Sequence, residues 1–354
     1  MALNTHLSAS PFVPRILFGV SPIGLGHATR ALVLADELRR RGAEVRLFSG
    51  GEAADFIART GVPVDNVVDD PGLSVAGGEM KGATVWYVRS WLAQRRNLER
   101  LRRLIADFSP DIVVGDEEFS GVTVAAERGI KRVFISDELE LGFARSWLAR
   151  KVEGRVEKWY KGLQRSVDLL VVPEFGSDSG NARFVGPIVR RATLTREAAR
   201  KKFGLPQGEM VLFSMSGSGI GREIGTMLIA ALGEFGADAP YLVVTGNRGA
   251  KFGGEGIYDL GLVLDNQNLV ASADLVVSTA GKSTIDEAVA AGTPVIVIPI
   301  RHHAEQERNA AALGCTPEDL ERLPSLLREK IGTRNEPKEF RGEVGAAGAI
   351  LSLL

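Results

Sequence analysis

Short runs of apolar and β-branched residues alternate with helix-length amphipathic segments along almost the whole chain. Since parallel strands are joined by crossovers of a dozen or more residues, usually a helix, this alternation predicts an α/β fold with parallel sheets. The predicted strands cover residues 15–20, 44–49, 112–115, 133–136 and 169–172 in the first half of the chain. Those of the second half cover residues 210–214, 241–245, 261–264, 275–278 and 295–299.

Each half opens with an apolar strand that runs into a turn rich in glycine and serine, at 24–27 and at 216–219. This repetition predicts two Rossmann-like domains with a cleft between them. The best boundary follows Gly186-Pro187. We therefore expect an N-terminal domain over residues 1–189, a C-terminal domain over 190–340, and a helix over 341–354 that packs back on the N-terminal domain.

Composition narrows the class of protein. The 354 residues suffice for two domains, and 43 Lys and Arg against 44 Asp and Glu give a net charge of −1, which argues against a nucleic-acid-binding protein. Cys315 stands alone, so neither an intrachain disulfide nor a CxxC metal knuckle is expected. Residues 1–14 lack the features of a secretory signal, and no apolar run is long enough to span a membrane, so we expect a cytoplasmic protein.

Gly24, Gly26 and His27 form the first candidate site, at the turn between a strand and an amphipathic stretch. Glycines there let a ligand approach the backbone, and the N–H groups that begin the next helix suit an anion. Thr29 stands where a dinucleotide fingerprint needs its third glycine, so that motif is excluded. His27, at the tip of the loop, is a candidate general base, and the alternative is that its ring only hydrogen-bonds the turn.

Gly281, Ser283, Thr284 and Glu287 form the second candidate site, where another strand meets another helix. Backbone N–H groups and hydroxyls converge there as a diphosphate requires, and Glu287 one turn on could hold the hydroxyls of a ribose. A plain capping box of Thr284 with Glu287 is the structural alternative. Gly281-Lys282-Ser283 resembles the end of a P-loop, but no glycine stands five residues earlier, so an NTPase is excluded.

Glu305 and Gln306 form the third candidate site, after the last predicted strand. A carboxylate beside an amide suits the hydroxyl groups of a sugar. His302 and His303 lie close by, but the HExxH spacing of a zinc site is absent. We therefore expect no metal site.

These three sites together resemble the two-domain GT-B glycosyltransferases. The most similar branch holds the N-acetylglucosaminyltransferase that forms lipid II, the plant galactolipid synthases and archaeal relatives. The patterns S-x-x-G-x-x-T-x-x-E, A-x-G-x-P and E-Q-x-x-N-A carry the resemblance in residues 278–310, although it spans nearly the whole chain. It implies a nucleotide sugar, commonly linked to UDP, on the C-terminal domain, and the acceptor on the N-terminal domain.

The resemblance also implies a role for each residue of the site. In the family, diphosphate contacts correspond to Ser216, Gly217, Ser218, Gly281, Ser283 and Thr284. Glu287 would hold the ribose, the backbone near Val263 and Leu264 the base, and Glu305 with Gln306 the sugar. His27 would face the reacting carbon. The loop at 24–27 reads Gly-Leu-Gly-His where the family has a run of glycines.

The reaction that the resemblance implies is a single displacement at the anomeric carbon, with inversion and without a metal or other cofactor. Its base would be His27 or Asp116, the latter at the end of the strand at 112–115 unless it is merely an acid of a solvated loop. The loop with His27 and Arg30 is also similar to nucleotide-sugar hydrolases, in which water replaces the acceptor. An epimerase on the same fold and a non-catalytic nucleotide-sugar-binding subunit are further alternatives.

The sequence does not identify the acceptor, but two basic segments give an indication of it. They contain all four tryptophans, Trp86, Trp91, Trp147 and Trp159, and residues 81–103 hold seven cations and one acid. Such segments are typical of contact with an anionic membrane surface, as a lipid-linked acceptor on the inner membrane face would require. Core-packed helices with solvated basic faces are the alternative.

Overall fold

The computed structural model describes residues 12–69, 75–76, 79–80, 83–136, 147–215, 219–299 and 304–354. Its strands are β1 (Arg15–Val20), β2 (Glu44–Ser49), β3 (Val64–Asn66), β4 (Val75–Ala76), β5 (Glu79–Met80), β6 (Ile112–Asp116), β7 (Lys131–Ile135), β8 (Leu169–Val172), β9 (Ala182–Phe184), β10 (Met210–Ser214), β11 (Tyr241–Thr245), β12 (Ile257–Gly261), β13 (Leu275–Ser278) and β14 (Val295–Val297). Its α-helices are α1 (Leu25–Arg40), α2 (Gly51–Arg59), α3 (Ala83–Phe108), α4 (Phe119–Glu127), α5 (Trp147–Ser166), α6 (Arg196–Lys202), α7 (Gly219–Gly233), α8 (Asn266–Ser272), α9 (Lys282–Ala291), α10 (Ala304–Ala311), α11 (Leu323–Lys330) and α12 (Gly342–Leu351).

Two parallel sheets built from these strands confirm the predicted α/β class. The first has the order β3-β2-β1-β6-β7-β8-β9 and the second the order β12-β11-β10-β13-β14, with every pair parallel. In each sheet the strand order reverses beside the opening strand, between β1 and β6 and between β10 and β13. Such reversals open crevices at the carboxyl ends of the strands, where ligands bind in α/β folds. Of the candidate residues, Gly24, Gly26 and His27 follow β1, Asp116 ends β6, and Gly281, Ser283 and Thr284 follow β13.

The predicted strand at 261–264 is wrong. The strand is β12, which pairs with β11 and ends at Gly261, where a φ of +62° turns the backbone out of the extended conformation. Val263 and Leu264 therefore lie in the loop before α8. The edge strands β3 and β9 were not predicted, because each has only three residues and lacks a buried apolar run.

The C-terminal helix α12 packs against α1 of the first sheet's layer. Ala346, Ala347 and Ile350 are fully buried and belong to one apolar cluster with the core face of α1. The chain enters α12 through a close backbone crossing, since a Cβ on Gly342 would lie 2.3 Å from the carbonyl oxygen of Gly186. Within the described part of the chain, no helix is both long and apolar enough to cross a membrane.

Ile350→Ala tests whether this packing stabilises the fold. Removing a fully buried isoleucine side chain should lower the free energy of unfolding by about 2–5 kcal/mol, because it leaves a cavity between α12 and α1. Urea denaturation measures the change. Leu354→Ala is the matched control, since Leu354 is exposed and its loss should cost less than about 0.5 kcal/mol. Equal losses in the two variants would contradict the expectation.

Candidate active site

His27, Arg30 and Asp116 meet in the crevice between β1 and β6. The Nδ1 atom of His27 lies 2.8 Å from Oδ1 of Asp116, and Arg30 donates from Nε to Oδ2 at 2.8 Å and from Nη2 to Oδ1 at 2.5 Å. The sequence predicted His27 at the tip of a loop. This is wrong, because α1 begins at Leu25 and His27 lies in its first turn. His27 and Arg30 therefore lie three residues apart on one helical face and reach the same carboxylate.

Asp116 is an ionised group held inside the protein. Its side chain is 0% exposed, against 24% for His27, so the alternative of a solvated loop acid is wrong. Burial by itself opposes ionisation, but the charge of Arg30 and the contact with His27 outweigh it and hold the pKa of Asp116 below its ordinary value. A carboxylate only accepts hydrogen bonds, so Nδ1 of His27 carries the shared proton, which leaves Nε2 as the nitrogen able to take another.

The two acids that follow Asp116 have structural partners. Glu118 is buried and caps α4 by accepting hydrogen bonds from the backbone N–H groups of Ser120 and Gly121, both at 2.8 Å. Glu117 accepts a hydrogen bond from the hydroxyl of Tyr160 at 2.6 Å. Asp116 is therefore the acid of this run that contacts the candidate base.

The second crevice lies between β10 and β13, and the N-terminus of α9 follows β13 there. Gly281 is the N-cap residue and provides no side-chain cap, and Thr284 lies inside the helix, so the capping-box alternative for Thr284 and Glu287 is wrong. The hydroxyl of Thr284 instead lies 3.4 Å from the hydroxyl of Ser214, at the end of β10. The N–H group of Thr284 donates to the carbonyl oxygen of Gly281 at 3.1 Å, whereas the N-cap residue provides no side-chain partner for the N–H groups before it, as a ligand site at a helix N-terminus requires.

The first turns of α1 and α9 contact each other across the cleft between the two sheets. A Cβ built on Gly26 would lie 2.8 Å from the hydroxyl oxygen of Ser283, so only glycine permits this approach without a shift. Gly24, the N-cap residue of α1, has a φ of +83°, which also favours glycine. An ion pair between Arg248 and Glu52 joins the same two layers.

The charges of this contact suit an anion. A helix N-terminus carries about half a positive charge, and neither α1 nor α9 has an acidic residue in its first turn to offset it. Two such ends in contact repel each other unless a negative group lies between them. The arrangement therefore supports the predicted diphosphate position beside Gly281, Ser283 and Thr284.

Glu287 and Leu264 are brought together by a residue that the sequence did not point to. Arg190 donates from Nε to Oε1 of Glu287 at 2.8 Å and from Nη1 to the carbonyl oxygen of Leu264 at 2.7 Å. Burial raises the pKa of Glu287 by more than Arg190 lowers it. Arg190 thus connects Glu287, predicted to hold the ribose, with Leu264, which with Val263 was predicted to hold the base.

The remaining predicted contacts are only partly described. Ser216, Gly217 and Ser218 lie outside the described residues, as does the side chain of Glu305. Gln306 is buried on α10. No set of three or more His, Cys, Asp or Glu side chains able to hold a metal ion is present among the residues that the structure describes.

Four arginines of α3 form ion pairs, three of them with acids outside the helix and one with an acid of α3 itself. The ion pairs are Arg96 and Arg100 with Asp69, Arg102 with Glu127, and Arg103 with Glu99. This pairing favours a solvated basic face over a free cationic surface.

Trp159 is the tryptophan whose side chain the structure describes. It is 51% exposed, and its ring centre lies 5.3 Å from that of Phe119. The side chains of Trp86, Trp91 and Trp147 lie outside the described residues.

Sequence reasoning did not assign Arg30 and Arg190 to the site. Arg30 carries a usable signal, since it stands three residues after His27 on the same predicted helix. Arg190 carries none, because its partner Glu287 lies 97 residues away along the chain.

Comparison with known proteins identifies relatives of both halves. Residues 252–322 match the glycosyltransferase family 28 C-terminal domain, and residues 14–142 match glycosyl transferase family 1. The chain is 26% identical over 355 residues to an uncharacterized glycosyltransferase of Methanosarcina acetivorans, with 93% of this chain and 92% of that protein covered. It is 25% identical over 331 residues to a UDP-N-acetylglucosamine--N-acetylmuramyl-(pentapeptide) pyrophosphoryl-undecaprenol N-acetylglucosamine transferase of Acetivibrio thermocellus, with 87% and 86% covered.

Solved structures resemble the whole chain. The spinosyn forosaminyltransferase SpnP superposes with a TM-score of 0.64 at 16% identity, covering 97% of this chain and 95% of that one. MurG of Acinetobacter baumannii superposes with a TM-score of 0.57 at 15% identity, covering 96% and 100%. At these identities the similarity shows the shared fold alone.

Asp116→Asn tests the buried charge. The variant should lose about 3–5 kcal/mol of unfolding free energy at pH 7, because Arg30 is left as a buried cation without its counter-ion. A lowered folded-state pKa contributes stability that is complete above the unfolded value, about 3.9, and is lost as the pH falls through the folded value. The difference in unfolding free energy between the wild type and the Asp116→Asn variant should therefore shrink below about pH 4.

Urea denaturation at several pH values measures this gap. Asp55→Asn is the matched control, because Asp55 is exposed on α2 and its loss should change stability by less than about 0.5 kcal/mol. A gap of the same size at all pH values would show that the ionised carboxylate is not its source.

Proposed function

Because this chain is a glycosyltransferase of the GT-B type, we propose that it transfers a sugar from a nucleoside diphosphate sugar, with UDP as the favoured nucleotide, to an acceptor hydroxyl. The proposed reaction inverts the anomeric configuration and needs no metal ion. The observation that carries the proposal is the partly exposed His27, backed by a buried carboxylate, on a helix whose first turn contacts that of α9.

His27 is the proposed general base. Its Nδ1–H donates to Asp116, which selects the tautomer whose Nε2 can accept the proton of the acceptor hydroxyl. The imidazolium that forms is stabilised by the carboxylate 2.8 Å away. Asp116 has no exposed surface for an acceptor to contact, so its role is to position and stabilise the base.

The donor site is proposed at the N-terminus of α9. The backbone N–H groups there, with the hydroxyls of Ser283 and Thr284, would bind the diphosphate and neutralise the charge that develops on it as the leaving group. Glu287 would hold the ribose hydroxyls, and the backbone at Val263 and Leu264 the base. Arg190 contacts both Glu287 and Leu264, so nucleotide binding would reorganise these hydrogen bonds.

Transfer requires donor and acceptor atoms within about 3–3.5 Å of each other. The contact between Gly26 and Ser283 supports this, since it holds the helix of the base against the helix of the diphosphate. Such an arrangement supports the proposed single displacement. The acceptor oxygen attacks the anomeric carbon from the side of His27, while the diphosphate leaves towards α9.

A lipid-linked acceptor at the inner membrane face is the finer part of the proposal. It is supported by the relative from Acetivibrio thermocellus, whose name specifies a pyrophosphoryl-undecaprenol acceptor. The exposed ring of Trp159 on the N-terminal layer is the kind of amphipathic side chain that lies at a membrane interface.

UDP should stabilise the protein in excess chelator, because the proposed diphosphate site consists of N–H groups and hydroxyls. At 100 times its dissociation constant, UDP should add about 2.7 kcal/mol to the unfolding free energy. Thermal unfolding with EDTA, with and without UDP, measures this, and Mg²⁺ added in excess of the EDTA should have no further effect. If UDP, GDP and dTDP all leave the transition unmoved, the donor assignment is wrong.

His27→Ala should bind UDP nearly as the wild type does, yet lose about 10²–10⁴-fold in turnover, because a general base acts in the transition state. Release of UDP from a UDP-sugar, in the presence of a panel of acceptors, measures turnover, and calorimetry measures UDP affinity. Near-normal turnover combined with a lower melting temperature would make His27 a structural residue.

A further inference from the structure

Lys282 is a charged residue of the cleft to which the proposed reaction assigns no role. It is the first residue of α9, and its ammonium lies 3.1 Å from Oδ2 of Asp286, one turn further on. The two side chains are only 22% and 18% exposed. The pair is thus largely withdrawn from water, beside the contact between Gly26 and Ser283.

The stability of α9 does not explain a lysine at this position. A cation in the first turn of a helix is opposed by the helix dipole. A lysine that precedes its acidic partner by four residues is in the less favourable order for such pairs. Withdrawing both charges from water adds a desolvation cost. A neutral polar residue would avoid all three penalties.

The surroundings of Lys282 instead favour the binding of an anion. The first turns of α1 and α9 meet there, and neither contains an acidic residue. Lys282 adds a full positive charge to two partial ones. In a helix the Cα–Cβ bond tilts towards the N-terminus, so the stem of Lys282 already leads towards the N–H groups of the turn.

We propose that Lys282 leaves Asp286 when the donor binds, and that its ammonium then neutralises the leaving diphosphate. This inference rests on the proposed function, whose diphosphate site it completes. As the acceptor oxygen bonds to the anomeric carbon, the bond from that carbon to the diphosphate oxygen breaks, and the electron pair leaves with the diphosphate. The proton of the acceptor goes to His27. Lys282 transfers no proton and only stabilises the charge that develops.

Asp286 is the competing partner of Lys282. It holds the ammonium while no diphosphate is bound and takes it back when the nucleotide leaves. The two residues should therefore act on nucleotide affinity in opposite directions. Loss of Lys282 removes a charge-assisted contact to the diphosphate, whereas loss of the Asp286 charge frees Lys282 for it.

Calorimetry with the intact chain in EDTA tests the inference, using whichever of UDP, GDP and dTDP the wild type binds, together with the corresponding nucleoside. Lys282→Gln should weaken binding of the diphosphate about 10- to 100-fold and leave binding of the nucleoside within about twofold. Asp286→Asn should tighten diphosphate binding severalfold. Lys201→Gln, which removes an exposed cation on α6, should change neither.

Two results would overturn the role of Lys282. One is a Lys282→Gln protein that binds the diphosphate as the wild type does, or that loses diphosphate and nucleoside equally. The other is an Asp286→Asn protein whose affinity for the diphosphate is unchanged or lower, a readout that stands even if Lys282→Gln fails to fold. If the wild-type chain binds no nucleoside diphosphate, the proposed function fails as well. That result can be told apart from the two results above, in which the wild type still binds.

Discussion

The burial of the Asp116 carboxylate is the constraint on which the candidate site depends. A charge with no exposed surface has to be paired, and Arg30 and His27 pair it from one face of α1. That pairing joins the helix after β1 to the end of β6, the two strands between which the order of the sheet reverses. The same hydrogen bond fixes the orientation of the imidazole ring of His27 through its Nδ1 atom.

The cleft itself is defined by two helix N-termini in contact. Ser283 lies so close to Gly26 that a side chain at the latter position would collide with it. The N-terminus of α9, with its hydroxyls and the ion pair of Lys282 and Asp286, thus lies against the first turn of α1, which carries His27. The proposed nucleotide-sugar donor would suit this arrangement, because its diphosphate would supply a negative charge at the two helix N-termini.

The C-terminal segment ties the two layers together around this cleft. After the second sheet the chain returns through Gly342, which crosses the backbone at Gly186 and Pro187, and then packs α12 on α1. Arg191 donates to the carbonyl oxygen of Phe340, which joins the linker to the same return. The helix that carries His27 is therefore packed on one side by α12 and contacts α9 at its first turn.

The sequence by itself determined the α/β class and most of the central strands, because strands buried on both faces read as short apolar runs. It also located the chemistry, since glycine turns and helix starts have local signals, and His27 and Glu287 could be named from them. Only the tertiary structure decided the partners. Asp116 lies 89 residues from His27, and Arg190 lies 97 from Glu287. Such ion pairs have no periodicity along the chain, because they exist only where the packing of sheets and helices removes two distant charges from water together.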